Sequence, residues 1–400
     1  MNILVLNCGS SSIKFQLLAI DGSDLLLAKG MVDRIGFDTS CFCVKVSDGE
    51  EYDQKVIAKD HRTGIDIILN FLTDKEIGVL NSLNDIDAVG HRVAHGGEKF
   101  NSSQIINDDV KRDIRECFEL APLHNPANYE GILAVEQLMP GKPQIAVFDT
   151  AFHSTIPDYA FLYPLPYHYY KDLHVRRYGF HGTSHAYVAE KASRILGKEF
   201  SRNKIITCHL GNGASITAIE YGKSVDTSMG FTPNDGLMMG TRSGSFDPGA
   251  LLYIAQHEDL SIEQVSDVIN RKSGVLGVSE ISSDMRDLVL QAEAGNEKAR
   301  LALKMYAHRV RKFIGSYIAV MNGLDILVFT GGIGENNSYI RKLCCENMDA
   351  LGIWFDSAKN DGLRGRDEII SLPGSKVTVM TISTNEELVI ARETYRLLKK

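Results

Sequence analysis

The sequence predicts an α/β protein made of two related halves, each with its own sheet. Two patterns predict it. Short apolar strands alternate with amphipathic helical stretches, as in layered sheet-and-helix proteins. A strand–turn–strand pattern near the start also returns about 200 residues later, and such internal repetition points to a duplicated fold. The bulk properties agree. At about 150 residues per domain, 400 residues make two or three domains. Hydrophobic residues at 44% and charged residues at 24% are ordinary globular values, so disorder is a poor description.

The elements follow in order. Ile3-Leu4-Val5-Leu6 is a continuous apolar run, the mark of a strand covered on both faces. Asn7-Cys8-Gly9-Ser10-Ser11-Ser12 is a small polar turn, Ile13 to Leu18 the return strand, and Asp21-Gly22 closes it. The second copy has Ile205 to Cys208 as strand, His209 to Ser215 as turn, Ile216 to Ile219 as return strand and Tyr221-Gly222 as the close. Gln144 to Phe148 reads as a strand, and a domain boundary is placed near Asp149, where it ends. Val188, Ala192, Ile195 and Leu196 share one helical face, with Gly197 as a stop. Leu303, Tyr306, Val310, Phe313, Ile314 and Tyr317 form a longer stripe, read as core packing. The apolar stretch Ile314 to Ile333 is interrupted by Ser316, Asn322, Gly323 and Asp325, so it reads as helix, turn and buried strand and not as a membrane span.

Composition also excludes function classes. Lys and Arg total 43 against 51 Asp and Glu, a net charge of −8. That argues against a protein that wraps nucleic acid, while leaving room for a local anion pocket. The seven cysteines include no C-x-x-C pair; Cys41 and Cys43 are one residue apart, and Cys344 and Cys345 are adjacent. They read as small buried hydrophobes in a reducing compartment. No basic stretch precedes the first apolar run, so it is not read as a signal peptide. A cytoplasmic protein that binds neither membrane nor nucleic acid is expected.

Three Gly/Ser-rich turns follow apolar strands: Asn7 to Ser12, His209 to Ser215, and Thr330 to Asn336. Successive backbone N–H groups in such turns can point at phosphate oxygens. Any one alone is more often a tight hairpin needing positive φ, and none is a Walker A loop. Three in one chain point to a nucleotide polyphosphate. Lys14, just past the first turn, is either an exposed strand lysine or a phosphate contact. Arg92, in the segment Gly90 to Gly97, suits bidentate binding of a carboxylate or phosphate, or a surface ion pair. Asp149 ends a strand, the usual place for active-site groups in α/β sheets, unless it caps the next segment. His181 sits between Gly179 and Gly182, where a backbone can approach a ligand, and the helix after it is expected to start near Ser184. Arg242 is a second Gly-flanked arginine. Thr384 and Glu387 fit a capping box for the last helix, which leaves Glu386 able to point at a metal. Arginines and backbone amides for anions, with a few oxygen ligands for Mg²⁺, are the equipment of phosphoryl transfer.

The segments LNCGSSSIKF, GHRVAHGG, APLHNPANY, FDTAFH, RRYGFHGTSH, HLGNGAS, DTSMGFTP, MGTRSG, VFTGGIGEN and TNEEL resemble, in order, the motifs of the acetate kinase family, which the propionate kinases largely share. The match runs from Asn7 to Glu387. The resemblance implies two related βββαβαβα domains of the actin-like ATPase and acetate and sugar kinase type, with an active cleft between them. Residues 1–149 plus 387–400 would form the N-terminal domain, and residues 150–386 the nucleotide-binding one.

The resemblance also implies roles. Asn7 and Glu386 would hold Mg²⁺, with Mn²⁺ as a substitute, and Ser10, Ser12 and Lys14 would lie near the phosphates. Arg92 and Arg242 would grip the carboxylate and the transferring phosphoryl group. His181 would stabilise the transition state with support from His124 and Asn212, and Asp149 would be the catalytic aspartate. His209, Leu210, Gly211, Asn212 and Gly213, then Asp284, Met285 and Arg286, then Gly331, Gly332, Ile333, Gly334 and Glu335, would line the ATP site. Ala94, Leu123, Phe180 and Pro233 would wall the pocket for the substrate's methyl group. The implied reaction is reversible transfer from ATP to acetate, giving acetyl phosphate and ADP, by a homodimer.

A carboxylic acid with a pKa of about 4.3 is already an anion near pH 7, so no base is needed to remove its proton. Asp149 is therefore expected to orient an arginine and the metal shell, and direct in-line transfer is favoured over a phosphoenzyme. Two departures from the family pattern stand out. Many acetate kinases carry Val where this chain has Ala94, and the missing methyls make room for propionate. Asp is expected after MGTRSG, where this chain has Ser245. An actin-like ATP-binding protein without an acyl acceptor is the reading from another class, and a sugar kinase shares the fold but needs a base for its hydroxyl nucleophile.

Overall fold

The structure, a computed structural model, describes residues 1–22, 24–47 and 49–399. The chain forms two compact units: Met1–Phe152 with Asn385–Lys400, and His153–Thr384.

The first unit holds an eight-stranded sheet. Its strands are β1 (Asn2–Cys8), β2 (Ser12–Ala19), β3 (Leu25–Asp33), β4 (Ser40–Val46), β5 (Glu51–Val56), β6 (Ala88–Val93), β7 (Gln104–Ile105) and β8 (Gln144–Phe148), in the order β5-β4-β3-β2-β1-β6-β8-β7. The apolar run at the start becomes β1, buried on both faces. Its alternation splits the side chains between two layers. Leu4 and Leu6 join Ile65, Ile68, Ala134 and Val135 from the helices His61–Leu72 and Asn125–Leu138. Ile3 and Val5 face the other way and pack with Ile145, Val147, Ile390 and Ala391. The last two belong to the helix Glu386–Leu398. This helix carries Glu386 into the first unit, whereas the boundary drawn from the sequence leaves it in the second domain.

The second unit repeats the plan. Strands β9 (Lys204–Leu210), β10 (Ala214–Glu220), β11 (Lys223–Thr227), β12 (Ile326–Thr330), β13 (Glu368–Ile369) and β14 (Thr378–Thr381) lie in the order β11-β10-β9-β12-β14-β13. The run β11-β10-β9-β12-β14 matches β3-β2-β1-β6-β8: an antiparallel meander whose first strand is parallel to two later ones. The predicted stripe lies on the helix Glu297–Val320 and enters the core, with Phe313 at its margin. Asn322 (φ 52°) and Gly323 (φ 127°) then turn the chain into the fully buried β12. Among the described residues no helix is long and apolar enough to cross a membrane. All seven cysteines are free of disulfides; Cys41 and Cys43 are half-buried and the others buried.

Three local expectations are corrected. The segment after β12 is a short helix, Gly331–Asn336, and not an open turn. The Glu335 carboxylate folds back to accept N–H bonds from Gly331 and Thr384, each 3.0 Å, and so satisfies the exposed amide at the helix start. The last helix is capped by Asn385, whose Oδ1 accepts from the Leu388 N–H at 3.0 Å, and not by a Thr384–Glu387 box. The Thr384 hydroxyl bonds Ser184 instead, at 2.9 Å. The helix that follows His181 starts at Gly182, two residues before Ser184.

Candidate active site

In the first unit the parallel strands β1, β6 and β8 lie side by side, with Leu6 opposite His91 and Arg92 opposite Val147. This register sets Asn7, Arg92 and Asp149 at neighbouring carboxyl ends, where α/β sheets hold ligands. The Arg92 guanidinium pairs with the Asp149 carboxylate, and its Nη1 also donates to Asn7 Oδ1 at 3.4 Å. Asp149 is fully buried, while the Arg92 side chain keeps 23% of its surface open. Burial works against the charged guanidinium, yet Asp149, Glu386 and Glu387 outweigh it and hold the Arg92 pKa above its usual value. Glu386, which opens the helix Glu386–Leu398, is near enough for its charge to act on Arg92. Asn7, Arg92 and Asp149 thus form one cluster, with Glu386 within electrostatic reach.

The turn after β1 is held from several sides. Gly9 N–H bonds Ser12 O at 2.7 Å, His61 Nε2 donates to Gly9 O at 2.7 Å, and Asn128 Nδ2 donates to Cys8 O at 2.6 Å. Lys14 lies opposite Asn7 in the β1–β2 register, so the two side chains share a face. Ser10 and Lys14 are exposed and Ser12 is half-buried. The segment after β6 is pinned by three side chains: Ala94 N–H bonds Asn128 Oδ1 (2.9 Å), His95 N–H bonds Asn125 Oδ1 (3.0 Å), and Gly96 N–H bonds Thr150 Oγ1 (3.0 Å). Ala94 is buried, whereas Leu123 is 69% exposed. His124 is half-buried at the start of the helix Asn125–Leu138.

In the second unit His181 occupies the left-handed region (φ 56°) just ahead of the helix Gly182–Ile195. A non-glycine residue there is strained, and such strain clusters at functional sites. Its ring stacks on His209 with centroids 4.2 Å apart. Gly213 shows what the Nε2 edge faces: a Cβ built on it would sit 3.3 Å from Arg242 Nη1 and 3.7 Å from His181 Nε2. His181 and Arg242 therefore converge over the bare backbone of the β9–β10 turn. Arg242 Nη1 donates to Pro233 O at 3.2 Å, and no carboxylate partners it among the described residues. Burial alone pushes its pKa down.

Other expected nucleotide residues divide by setting. Asn212 Oδ1 lies where a Cβ on Gly240 would be, 2.1 Å away, so the Asn212 side chain seats only on a glycine. Gly331 (φ 75°) similarly lets the backbone of Leu210 approach. Asp284 caps the helix Met285–Glu293 and pairs with the exposed Arg286. The side chains of Met285 and Leu210 are in the hydrophobic core, so only their backbones are left for a ligand. Phe180 is buried in the same core and Pro233 is half-buried. Gly332 and Gly334 lie within the helix Gly331–Asn336, and Ile333 packs on the core. Glu335 is occupied in capping that helix.

Sequence reasoning missed the residues that hold these groups: His61, Asn125, Asn128, Thr150 and Ser215. Asn125 and Asn128 stand inside APLHNPANY. Two amides opening a helix behind Pro126 were the available signal.

The comparisons with known proteins decide the family. The profile described as the Acetokinase family matches residues 2–392. The chain belongs to the acetokinase family. It is 52% identical over 401 residues to the acetate kinase of Caldicellulosiruptor saccharolyticus, covering 100% of both chains. It is 53% identical to that of Thermoanaerobacter pseudethanolicus, covering 100% of this chain and 99% of the relative. Among solved structures, the acetate kinase of Porphyromonas gingivalis matches with a TM-score of 0.96 at 48% identity, covering 99% of each chain. A propionate kinase from Francisella tularensis matches with a TM-score of 0.92 at 42% identity, again covering 99% of each.

Within this acetokinase, Ser245, standing where aspartate is expected, bonds Asp235 and not Arg242. Its Oγ donates to Asp235 Oδ1 at 2.6 Å and accepts from Gly236 N–H at 2.8 Å. A carboxylate at 245 would face that of Asp235. The hydroxyl avoids that repulsion, and Arg242 donates to Pro233 O.

Proposed function

We propose that the chain catalyses the reversible transfer of the γ-phosphoryl group of ATP to acetate, giving acetyl phosphate and ADP, by direct in-line attack. The observation that carries this reading is the contrast between two arginines. Arg92 is charged, oriented by Asp149 and still partly open. Arg242 is a half-buried cation with no carboxylate to neutralise it among the described residues. The obstacle in this reaction is repulsion between a carboxylate and an anionic phosphate, and preorganised cations answer it. Arg92 binds the acetate carboxylate. Arg242 and the His181 Nε2 edge stabilise charge on the transferring phosphoryl group, beside the backbone amides of His209 to Gly213. Asp149 is committed to Arg92, as suits an orienting group, since the nucleophile reaches the site already ionised.

Asn7 Oδ1, which accepts from Arg92, and the Glu386 carboxylate, whose charge acts on Arg92, are hard oxygen donors. That suits Mg²⁺, which keeps waters and takes one or two protein oxygens besides phosphate; Mn²⁺ fits the same donors. When bound, the metal supplies neutralisation of phosphate charge. Residues Gly331 to Glu335 and Asp284 to Arg286 complete the nucleotide site in this reading. Unbridged cysteines support a cytoplasmic setting, and the assembly is a homodimer.

One observation favours propionate as a second substrate. Ala94 is buried, with its N–H held by Asn128, so its position is fixed while its side chain is two methyls smaller than valine. One methylene is worth about 1–3 kcal/mol of discrimination, so the preference between the two acids is modest. The test supplies ATP, Mg²⁺ and acetate or propionate, traps acyl phosphate with hydroxylamine, and measures ADP in parallel. Acyl hydroxamate should match ADP, with both acids turned over. ATP hydrolysis indifferent to either acid would replace this reading with an actin-like ATPase.

A further inference from the structure

Behind His181 runs a buried row of side chains to which the proposed reaction gives no task. His181 Nδ1 lies 2.9 Å from Ser215 Oγ, Ser215 Oγ lies 2.7 Å from His185 Nε2, and His185 Nδ1 lies 2.7 Å from Thr207 Oγ1. Thr207, His185 and Ser215 are completely buried. The helix Gly182–Ile195 supplies His185, β9 supplies Thr207 and β10 supplies Ser215.

The direction of every bond in the row follows from its inner end. A buried hydroxyl hydrogen needs an acceptor, and leaving it without one costs about 1–3 kcal/mol. His185 Nδ1 is the one hydrogen-bond partner of the Thr207 hydroxyl among the described residues. Thr207 therefore donates, and His185 Nδ1 carries no proton. A neutral imidazole holds its proton on the other nitrogen, so His185 Nε2–H donates to Ser215. Ser215 has one hydrogen, which then goes to His181 Nδ1. His181 must keep its own proton on Nε2, the atom that faces Arg242 over Gly213.

We propose that Thr207, His185 and Ser215 are positioning residues that hold His181 as a neutral imidazole with its proton on Nε2. His181 then offers the phosphoryl group a fixed hydrogen-bond donor and takes no part in proton transfer. Charging His181 would put a proton on Nδ1 and strand one buried hydroxyl hydrogen, that of Ser215 or, if the row reverses, that of Thr207. The groups facing it add to this bias: His209 stacked from β9, His185 from its own helix at 6.4 Å, and Arg242 beside Nε2. His185 stays neutral because burial, and then His153 and His209, push its pKa well below the usual histidine value.

The proposal rests on the phosphoryl-transfer reading, and its test separates the two. Protein labelled with ¹⁵N-histidine is examined by long-range ¹H–¹⁵N NMR at pH 7, with His181 assigned from His181→Gln. The wild type should show a protonated Nε2 and a bare Nδ1 on His181. Thr207→Val keeps the shape and removes the donor. It should let His181 populate the Nδ1–H form and lower kcat about tenfold, with KM for ATP and acetate unchanged. Thr207→Ser should restore both tautomer and kcat. A wild-type His181 protonated on Nδ1 or on both nitrogens overturns the proposal. So does a Thr207→Val enzyme with normal kcat. If Thr207→Val fails to fold, the wild-type spectrum still decides where the proton lies. The nitrogen shifts are read without substrate, so a lack of acetate-dependent turnover counts against the reaction and not against the proton placement.

Discussion

Arg92 and Arg242 carry the same charge in opposite settings, and the difference predicts how each responds to substitution. Asp149 is buried against Arg92 and has no exit to solvent. Asp149→Asn keeps the shape but removes the charge that fixes the guanidinium. Misplacing a substrate-positioning group by about 1 Å can cost about a hundredfold. Asp149→Asn should therefore lower kcat/KM for acetate by about a hundredfold, with the pH–rate profile unchanged in form. Activity recovered at high pH would instead mark Asp149 as a base. At this scale the sequence displayed the groups that meet substrate, because arginine, histidine and aspartate between glycines or at strand ends carry visible chemistry. It hid their supports. Asn128 reaches both Cys8 and Ala94, and Thr207 reaches His185, across separations that no local spacing encodes.

Elements show a similar division. Strands β1, β8, β9 and β12 were legible as apolar runs, since burial on both faces leaves no polar alternation to confuse them. The helix Gly331–Asn336 was not, because glycine content argues against a helix when read locally. What holds it is tertiary. Arg341 is fully buried, with Nη1 donating to Gly334 O (2.9 Å), Nε to Asn360 Oδ1 (2.7 Å) and Nη2 to Leu363 O (2.8 Å). Burial pushes its pKa down to about 10, so it remains charged near neutral pH. Arg341→Met would leave three acceptors without donors, at about 1–3 kcal/mol each where water cannot reach. The expected result is a lower Tm and a raised KM for ATP, with KM for acetate little changed. Equal effects on both substrates would show that Arg341 supports the unit as a whole and not the Gly331–Asn336 helix.

For the whole molecule, the duplicated strand order is the feature the sequence announced most openly, through two hairpins of like composition. The assembly is the part it announced least. In the second unit, the helices Pro248–His257 and Ile262–Arg271 bury no residue. Leu252, Tyr253 and Ile262 are 72%, 69% and 84% exposed. Exposed apolar groups on two helices that bury nothing suit an interaction surface, and in the homodimer reading a second copy of the chain is its occupant. Light scattering should give twice the mass of one chain, and Leu252→Glu should shift the population toward the single chain. A wild type that stays single at micromolar concentration would remove the homodimer from the proposed function.

The return of the helix Glu386–Leu398 to the first sheet has a consequence for biosynthesis. A ribosome releases the amino-terminal strands early, yet Ile3, Val5, Ile145 and Val147 receive Ile390 and Ala391 only after the intervening 232-residue unit, His153–Thr384, has emerged. Of the two units, the one whose strands are translated first is thus the last to be completed, and a nonsense codon shortly before residue 386 would strip one layer from it.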